Sequence, residues 1–243
     1  MQCTILCVAC KTHKLIYNSS HPQISSKMMF HFSTPRQARV FTLGEPGPDI
    51  SELWLVFHGY GQLAEYFIKH FEPLADGSRW IVAPEGLSRF YLQLGGDRVG
   101  ASWMTKVDRL TEIEDQINYL DSLSAYLRKQ LPDTGYKVHV LGFSQGVATA
   151  WRWLTQGKSD ADSLILWAGK SPREYPEQGM QKLQGMKTFS AVGTKDPFVT
   201  PERMKDEIDT LTDKFPDIQT FTFEGKHEMH AQTLLKIADK LRE

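Results

Sequence analysis

Three short, almost wholly apolar runs constrain this 243-residue chain more than anything else in it: LWLVF at 53–57, WIVA at 80–83 and SLILW at 163–167. None approaches the roughly 20 apolar residues that a membrane-spanning helix needs. The first ends at His58-Gly59 and the second at Pro84. A run of this length without polar alternation, bounded by turn residues, reads as a strand buried on both faces, the position of a central strand in a parallel sheet. Such strands need crossover connections, and the sequence supplies them. Residues 63–74 (LAEYFIKHFEPL) and 110–131 have helical spacing, the latter with Ile113, Ile117, Leu120, Leu123 and Leu127 on one side. Residues 38–43 alternate and predict an edge strand. Further strands are predicted at 137–143 (KVHVLGF), 188–192 (TFSAV) and 219–223 (QTFTF), and helices starting at 146 and over 204–215 and 231–241. Strand and helix alternate throughout, which implies one α/β domain with a mostly parallel central sheet, helices on both faces and no large cap domain. Residues 84–109 are expected to be a long loop carrying glycines and aromatics. They lie where a strand passes to a helix, so a functional loop is expected there and not a domain boundary.

Charge and cysteine usage narrow the chemistry. The net charge is -1, so no positive field exists to hold nucleic acid or anionic lipid, and neither is expected as a partner. Stable insertion in a membrane is not expected either. The three cysteines are Cys3, Cys7 and Cys10. Everything beyond them lacks a thiol, so the body has no disulfide, cysteine nucleophile or cysteine metal site, and covalent chemistry must use oxygen or nitrogen. Residues 1–35 look unlike the rest: a short apolar run with no preceding Lys or Arg, then a stretch rich in Ser, Asn and His. That is a poor secretory signal. A leader of doubtful structure is expected over 1–35, with Met28 or Met29 as an alternative start, and a single domain over 36–243. A reducing cytoplasm is the expected location, with export through the N-terminal segment as the lesser alternative.

The predicted strand 137–143 runs into Gly142-Phe143-Ser144-Gln145-Gly146, followed by small Ala148 and Ala150. G-x-S-x-G at a strand-to-helix turn is a nucleophile elbow: the serine sits on a strained turn, and glycines two residues either side let strand and helix approach. The turn aims the Gln145 amide and the helix N-terminus at any oxyanion formed on the serine. Such a serine needs a base and an orienting acid, in the chain order serine, acid, histidine. Only His227 and His230 follow Ser144. Asp196, on the turn after strand 188–192 between Gly193 and Pro197, is the best acid. Asp160 and Asp162 precede their strand, Asp206 lies mid-helix, and Glu224 is too near the histidines in sequence. A second oxyanion donor is expected from His58-Gly59-Tyr60-Gly61, with His58 itself a loop-shaping hydrogen bonder. His227-Glu228-Met229-His230 has a spacing of three, not four, and no third ligand, so no metal is expected.

FHGYG at 57–61, GFSQG at 142–146, GTKDPFV at 193–199 and EGKHEM at 224–229 together resemble the phospholipase/carboxylesterase branch of the α/β-hydrolases, which includes acyl-protein thioesterases. The resemblance covers roughly 36–243. It implies the α/β-hydrolase fold, Ser144 as nucleophile, Asp196 as acid and His227 as base. It also implies an oxyanion hole from the amides of Tyr60 and Gln145. Lys226 stands where the branch often has a glycine, a small departure. Phe90, Tyr91, Trp103 and Met104 are expected to line a substrate pocket.

The expected activity is hydrolysis of carboxylic esters through an acyl-serine, without a cofactor. Thioesters and lysophospholipids remain open as substrates, and a monomer or homodimer as the assembly. The alternatives are a non-catalytic hydrolase-like binding protein and an acyltransferase using the same triad.

Overall fold

A computed structural model of the chain describes residues 28–133, 135–174 and 176–243. Most of the leader expected over 1–35, including all three cysteines, lies outside the described residues. Residues 28–36 have no regular secondary structure and are exposed. Residues Gln37–Glu243 form one compact unit.

Among the described residues that unit holds a seven-stranded sheet. The strands are β1 (Val40–Leu43), β2 (Glu52–Phe57), β3 (Arg79–Pro84), β6 (Lys137–Phe143), β7 (Ser163–Trp167), β8 (Lys187–Gly193) and β9 (Gln219–Phe223). Their order across the sheet is β1-β3-β2-β6-β7-β8-β9. β1 pairs antiparallel with β3 and every other pairing is parallel. The helices are α1 (Ala64–Phe67), continued by a 3-10 segment (Ile68–Leu74), α2 (Arg109–Arg128), α3 (Gln145–Gln156), α4 (Glu177–Leu183), α5 (Pro201–Lys214) and α6 (Ala231–Arg242).

Apolar side chains leave the central strands in both directions. Leu53, Leu55 and Phe57 of β2 pack with Ile113, Ile117 and Leu120 of α2 and with Val147, Trp151 and Trp153 of α3. Trp54 and Val56, pointing the other way, pack with Phe67, Phe71, Leu234 and Ile237. Two cores therefore sandwich the sheet, and both faces carry helices. The architecture is the α/β-hydrolase arrangement expected from the sequence.

Two parts differ from expectation. Residues 84–109 are not all loop: Ser88–Tyr91 (β4) and Val99–Ser102 (β5) form an antiparallel hairpin, with Phe90 opposite Gly100. The helical stretch 63–74 keeps α geometry only to Phe67, then tightens into a 3-10 segment that contains Pro73. Proline has no N–H for the α ladder and its ring crowds the preceding turn.

Candidate active site

Parallel pairing sets the C-terminal ends of the strands in line: Phe57 lies opposite Gly142, Phe143 opposite Trp167, and Gly193 opposite Phe223. Ligands in open α/β sheets bind at this edge. Each catalytic residue predicted from the sequence follows one of these ends: Ser144 after β6, Asp196 after β8, His227 after β9.

Ser144 sits at φ 54°, ψ -114°, a left-handed strain for an L residue. Its amide donates to the Trp167 carbonyl at 2.9 Å, which ties the turn to β7. The flanking glycines are forced by contact. A Cβ at Gly142 would stand 2.3 Å from the Gly146 carbonyl oxygen, and one at Gly146 would stand 2.2 Å from that of Phe57. Helix α3 starts at Gln145, so its N-terminal dipole lies at the serine.

Asp196 is buried, with a side chain 0% exposed. Its Oδ1 accepts from the Phe198 amide at 2.8 Å, and its Oδ2 is 2.7 Å from His227 Nδ1. An ionised carboxylate only accepts, so Nδ1 carries the proton and Nε2 is left free to take one. The imidazole stands against the rings of Phe143 and Phe198, each with its centroid 4.9 Å away. Phe143 precedes Ser144, so that contact brings the histidine to the elbow. The loops holding acid and base are bound together through Thr194 N–H to Phe223 O and Lys195 N–H to Gly225 O. His230 does something else: it stacks on Phe223 with rings 3° from parallel, and its Nδ1 is 2.9 Å from Thr233 Oγ1 at the start of α6.

The loop after β2 is held from several sides. The Gly59 amide donates to Gln62 Oε1 at 2.7 Å and the Gly61 amide to Ala101 O at 2.8 Å, on either side of Tyr60. His58 is fully buried. Its Nε2 accepts from the Gly86 amide at 3.0 Å, so its Nδ1 donates to Gly59 O at 2.8 Å. Burial pushes its pKa down to about 4, which the bond to the Gly59 carbonyl only partly offsets. A neutral, doubly bonded imidazole is a structural peg, as expected of His58.

The residues expected to line a pocket separate into two groups. Phe90 lies on the hairpin with its ring 5.1 Å from that of Tyr60, and Tyr91 beside it is exposed. Trp103 and Met104 are held against the core. Trp103 is buried, edge-on to Phe57, with its indole N–H on the His58 carbonyl at 2.9 Å. Met104 packs against the same core. Their segment braces the elbow: Gln145 Nε2 donates to Met104 O at 2.9 Å, and Gln145 Oε1 accepts from the Trp103 amide at 3.2 Å. The pattern of apolar residues hid this, because it rests on a contact between residues 42 apart. A cavity of about 600 Å³ opens beside the loop after β2, lined by Gln62, Tyr66, Phe67, His70, Leu92 and Arg98.

Among the described residues no group of acidic, histidine or cysteine side chains is placed to hold a metal ion, and no helix is long and apolar enough to cross a membrane.

The fold is shared with proteins described as a thioesterase, an esterase and a carboxylesterase. Acyl-protein thioesterase 2 of Zea mays superposes with a TM-score of 0.63 at 17% identity, covering 85% of this chain and 98% of its own. Esterase PE8 gives a TM-score of 0.62 at 20% identity, over 85% and 99% of the two chains. A Bacillus cereus carboxylesterase gives 0.58 at 15%, over 84% and 93%. No curated protein sequence matches the chain significantly. The profile of the serine hydrolase family FSH1 matches residues 83–234, a segment that contains Ser144, Asp196 and His227. That match spans well over half of the chain, which therefore belongs to the FSH1 serine hydrolase family.

Proposed function

We propose that this hydrolase cleaves carboxylic esters through an acyl-serine on Ser144, with thioesters and lysophospholipids as related substrates. The observation that carries the reading is the 2.7 Å contact from Asp196 Oδ2 to His227 Nδ1, made by an imidazole packed on the residue before the strained serine. In this reading Ser144 Oγ attacks the acyl carbonyl and His227 Nε2 takes its proton. Asp196 holds the imidazole in the required tautomer and steadies the imidazolium. The amides of Tyr60 and Gln145 receive the oxyanion. Collapse releases the alcohol or thiol, which takes the proton back from His227. Water then repeats the sequence and frees the carboxylic acid. Two preorganised donors matter because losing one costs about 10²–10³ in rate in this chemistry. The catalytic domain in this reading is 36–243, with 1–35 a leader. Phe90, Tyr91, Trp103 and Met104 are the substrate contacts of this reading, Phe90 standing against Tyr60.

A fluorophosphonate probe tests the assignment. It should label folded wild-type protein at Ser144, and Ser144→Ala should abolish both labelling and p-nitrophenyl ester hydrolysis. An unlabelled folded protein, with Ser144→Ala as active as wild type, would overturn it.

A further inference from the structure

A second cavity, of about 460 Å³, lies between α2 and α3 and touches none of Ser144, Asp196 and His227. Cavities of this size are in the range that takes small ligands. Its inner wall is apolar, formed by the buried Ile113 and Ile117, and Leu110 stands exposed at its mouth. Its polar floor is Arg152, which is only 9% exposed. A guanidinium offers five N–H donors. Among the described residues its hydrogen-bond acceptor is the Met104 thioether sulfur, 3.2 Å from Nη1, a weak one. The second arginine of the cavity, Arg109, already has its partner in Glu174, at 2.9 Å. Buried cations are ordinarily paired, because unpaired burial costs several kcal/mol of lost hydration. Burial, together with the Arg109 charge, pulls the Arg152 guanidinium below its usual pKa, and Glu174 offsets this only in part.

The distribution of charge selects the ligand. Among the described residues the buried end holds a cation with no carboxylate in ion-pair contact, Glu174 acting on it only from a distance. The outer end holds two carboxylates, Glu114 and Glu174, both exposed. One negative charge at the inner end completes the set, whereas a dianion meets repulsion from both glutamates.

We propose that this cavity is a binding site for an aliphatic monocarboxylate, its carboxylate on Arg152 and its chain along Ile113, Ile117 and Leu110. Arg–carboxylate pairing is bidentate and gains strength where water is excluded.

Calorimetric titration of the full chain with octanoate, octanol and octyl phosphate tests this. Wild type should take up octanoate saturably and bind octanol and octyl phosphate each at least about tenfold more weakly. Arg152→Met should weaken octanoate by about tenfold or more. Leu110→Glu puts a like charge at the exposed mouth without disturbing the core, and should weaken octanoate by a larger factor than octanol, which loses only its contact with the Leu110 side chain. Should Arg152→Met fail to fold, Leu110→Glu decides. Absence of octanoate binding by wild type, octanol binding as tight as octanoate, or octanoate binding indifferent to Leu110→Glu would each overturn the proposal. Octyl phosphate binding tighter than octanoate would overturn the carboxylate assignment.

Discussion

Ser144 keeps its positive φ because everything around it is fixed: β6 on one side, α3 on the other, and the Trp167 carbonyl on its amide. The two glycines are the consequence of that compression. Adding one methyl at Gly146 places a carbon 2.2 Å from the Phe57 oxygen and 2.9 Å from the His58 oxygen, both backbone atoms with no way to yield. Gly146→Ala should therefore push α3 away from the loop after β2. We expect loss of stability of about 1–3 kcal/mol and, because a displacement near 1 Å costs about 10² in rate, near-complete loss of esterase activity. Chemical denaturation and ester kinetics on the same preparation check both. Asp196→Asn makes the opposite kind of change. The amide fills the same space but no longer fixes the proton on His227 Nδ1, so kcat should fall about 10³–10⁴-fold with the melting curve little changed. At this scale the sequence was informative where chemistry restricts residue type and order. After Ser144 only two histidines remained, and the structure puts His227 on Asp196 and His230 on Phe223. It was silent on the part Gln145 plays through its side chain, since nothing in GFSQG says that the amide reaches Trp103 and Met104.

At the scale of elements, the sequence foretells a strand where it carries a continuous or alternating apolar pattern. Lys137–Phe143, Ser163–Trp167 and Gln219–Phe223 form where the patterns predict them, and the helix expected over 110–131 forms as Arg109–Arg128. The hairpin of β4 and β5 escaped because SRFY and VGAS are four-residue strands with no continuous apolar run. Its place is set by contacts distant in sequence. Gly61 N–H bonds Ala101 O, Ala101 N–H bonds Gln62 O, and a Cβ at Gly100 would meet the Gly61 oxygen at 2.4 Å. Helix α4 escaped as well, being seven residues with a glycine inside. The hairpin, the loop after β2 and the elbow form one braced unit, with Gln145 as the strut between elbow and hairpin. Gln145→Met removes that strut while keeping side-chain length and the backbone amide. It leaves the Trp103 amide without its acceptor and the Met104 carbonyl with Ser102 Oγ, at 2.9 Å, as its remaining donor, a cost of about 1–3 kcal/mol where such groups are buried. Its kcat for p-nitrophenyl acetate should fall at least tenfold, an effect absent if the strut serves only packing.

For the whole molecule, the histidines that face inward make folding itself sensitive to acid. His58, in the loop after β2, and His139, in the middle of β6, are both buried, and burial pushes each pKa down to about 4. They lie toward opposite ends of the sheet. His139 meets Ser163 Oγ at 2.8 Å. Around it the Glu52 and Asp162 carboxylates raise its pKa while Arg79 and Lys137 lower it, and desolvation outweighs them all. Glu52 is itself engaged by Arg79 at 2.8 Å and by Arg242, from the far end of the chain, at 2.7 Å. Both pKa values move downward, and that direction sets the sign of the effect. In the unfolded chain a histidine takes up a proton below about pH 6.5. In the folded chain these two resist until about pH 4. Between those values the unfolded state binds more protons, so stability is full above pH 6.5 and declines as pH falls toward 4. A tenfold difference in proton affinity between folded and unfolded chain is worth about 1.4 kcal/mol, so each histidine accounts for a loss of about 3 kcal/mol across the window. Melting temperature should fall steeply from pH 6.5 to 4.5, and His139→Gln should flatten the slope by roughly half. Proton NMR of the imidazole C–H signals separates this cause from carboxylate titration. Two histidines should stay neutral at pH 5, and a full set of charged imidazoles at that pH in the folded protein would refute it.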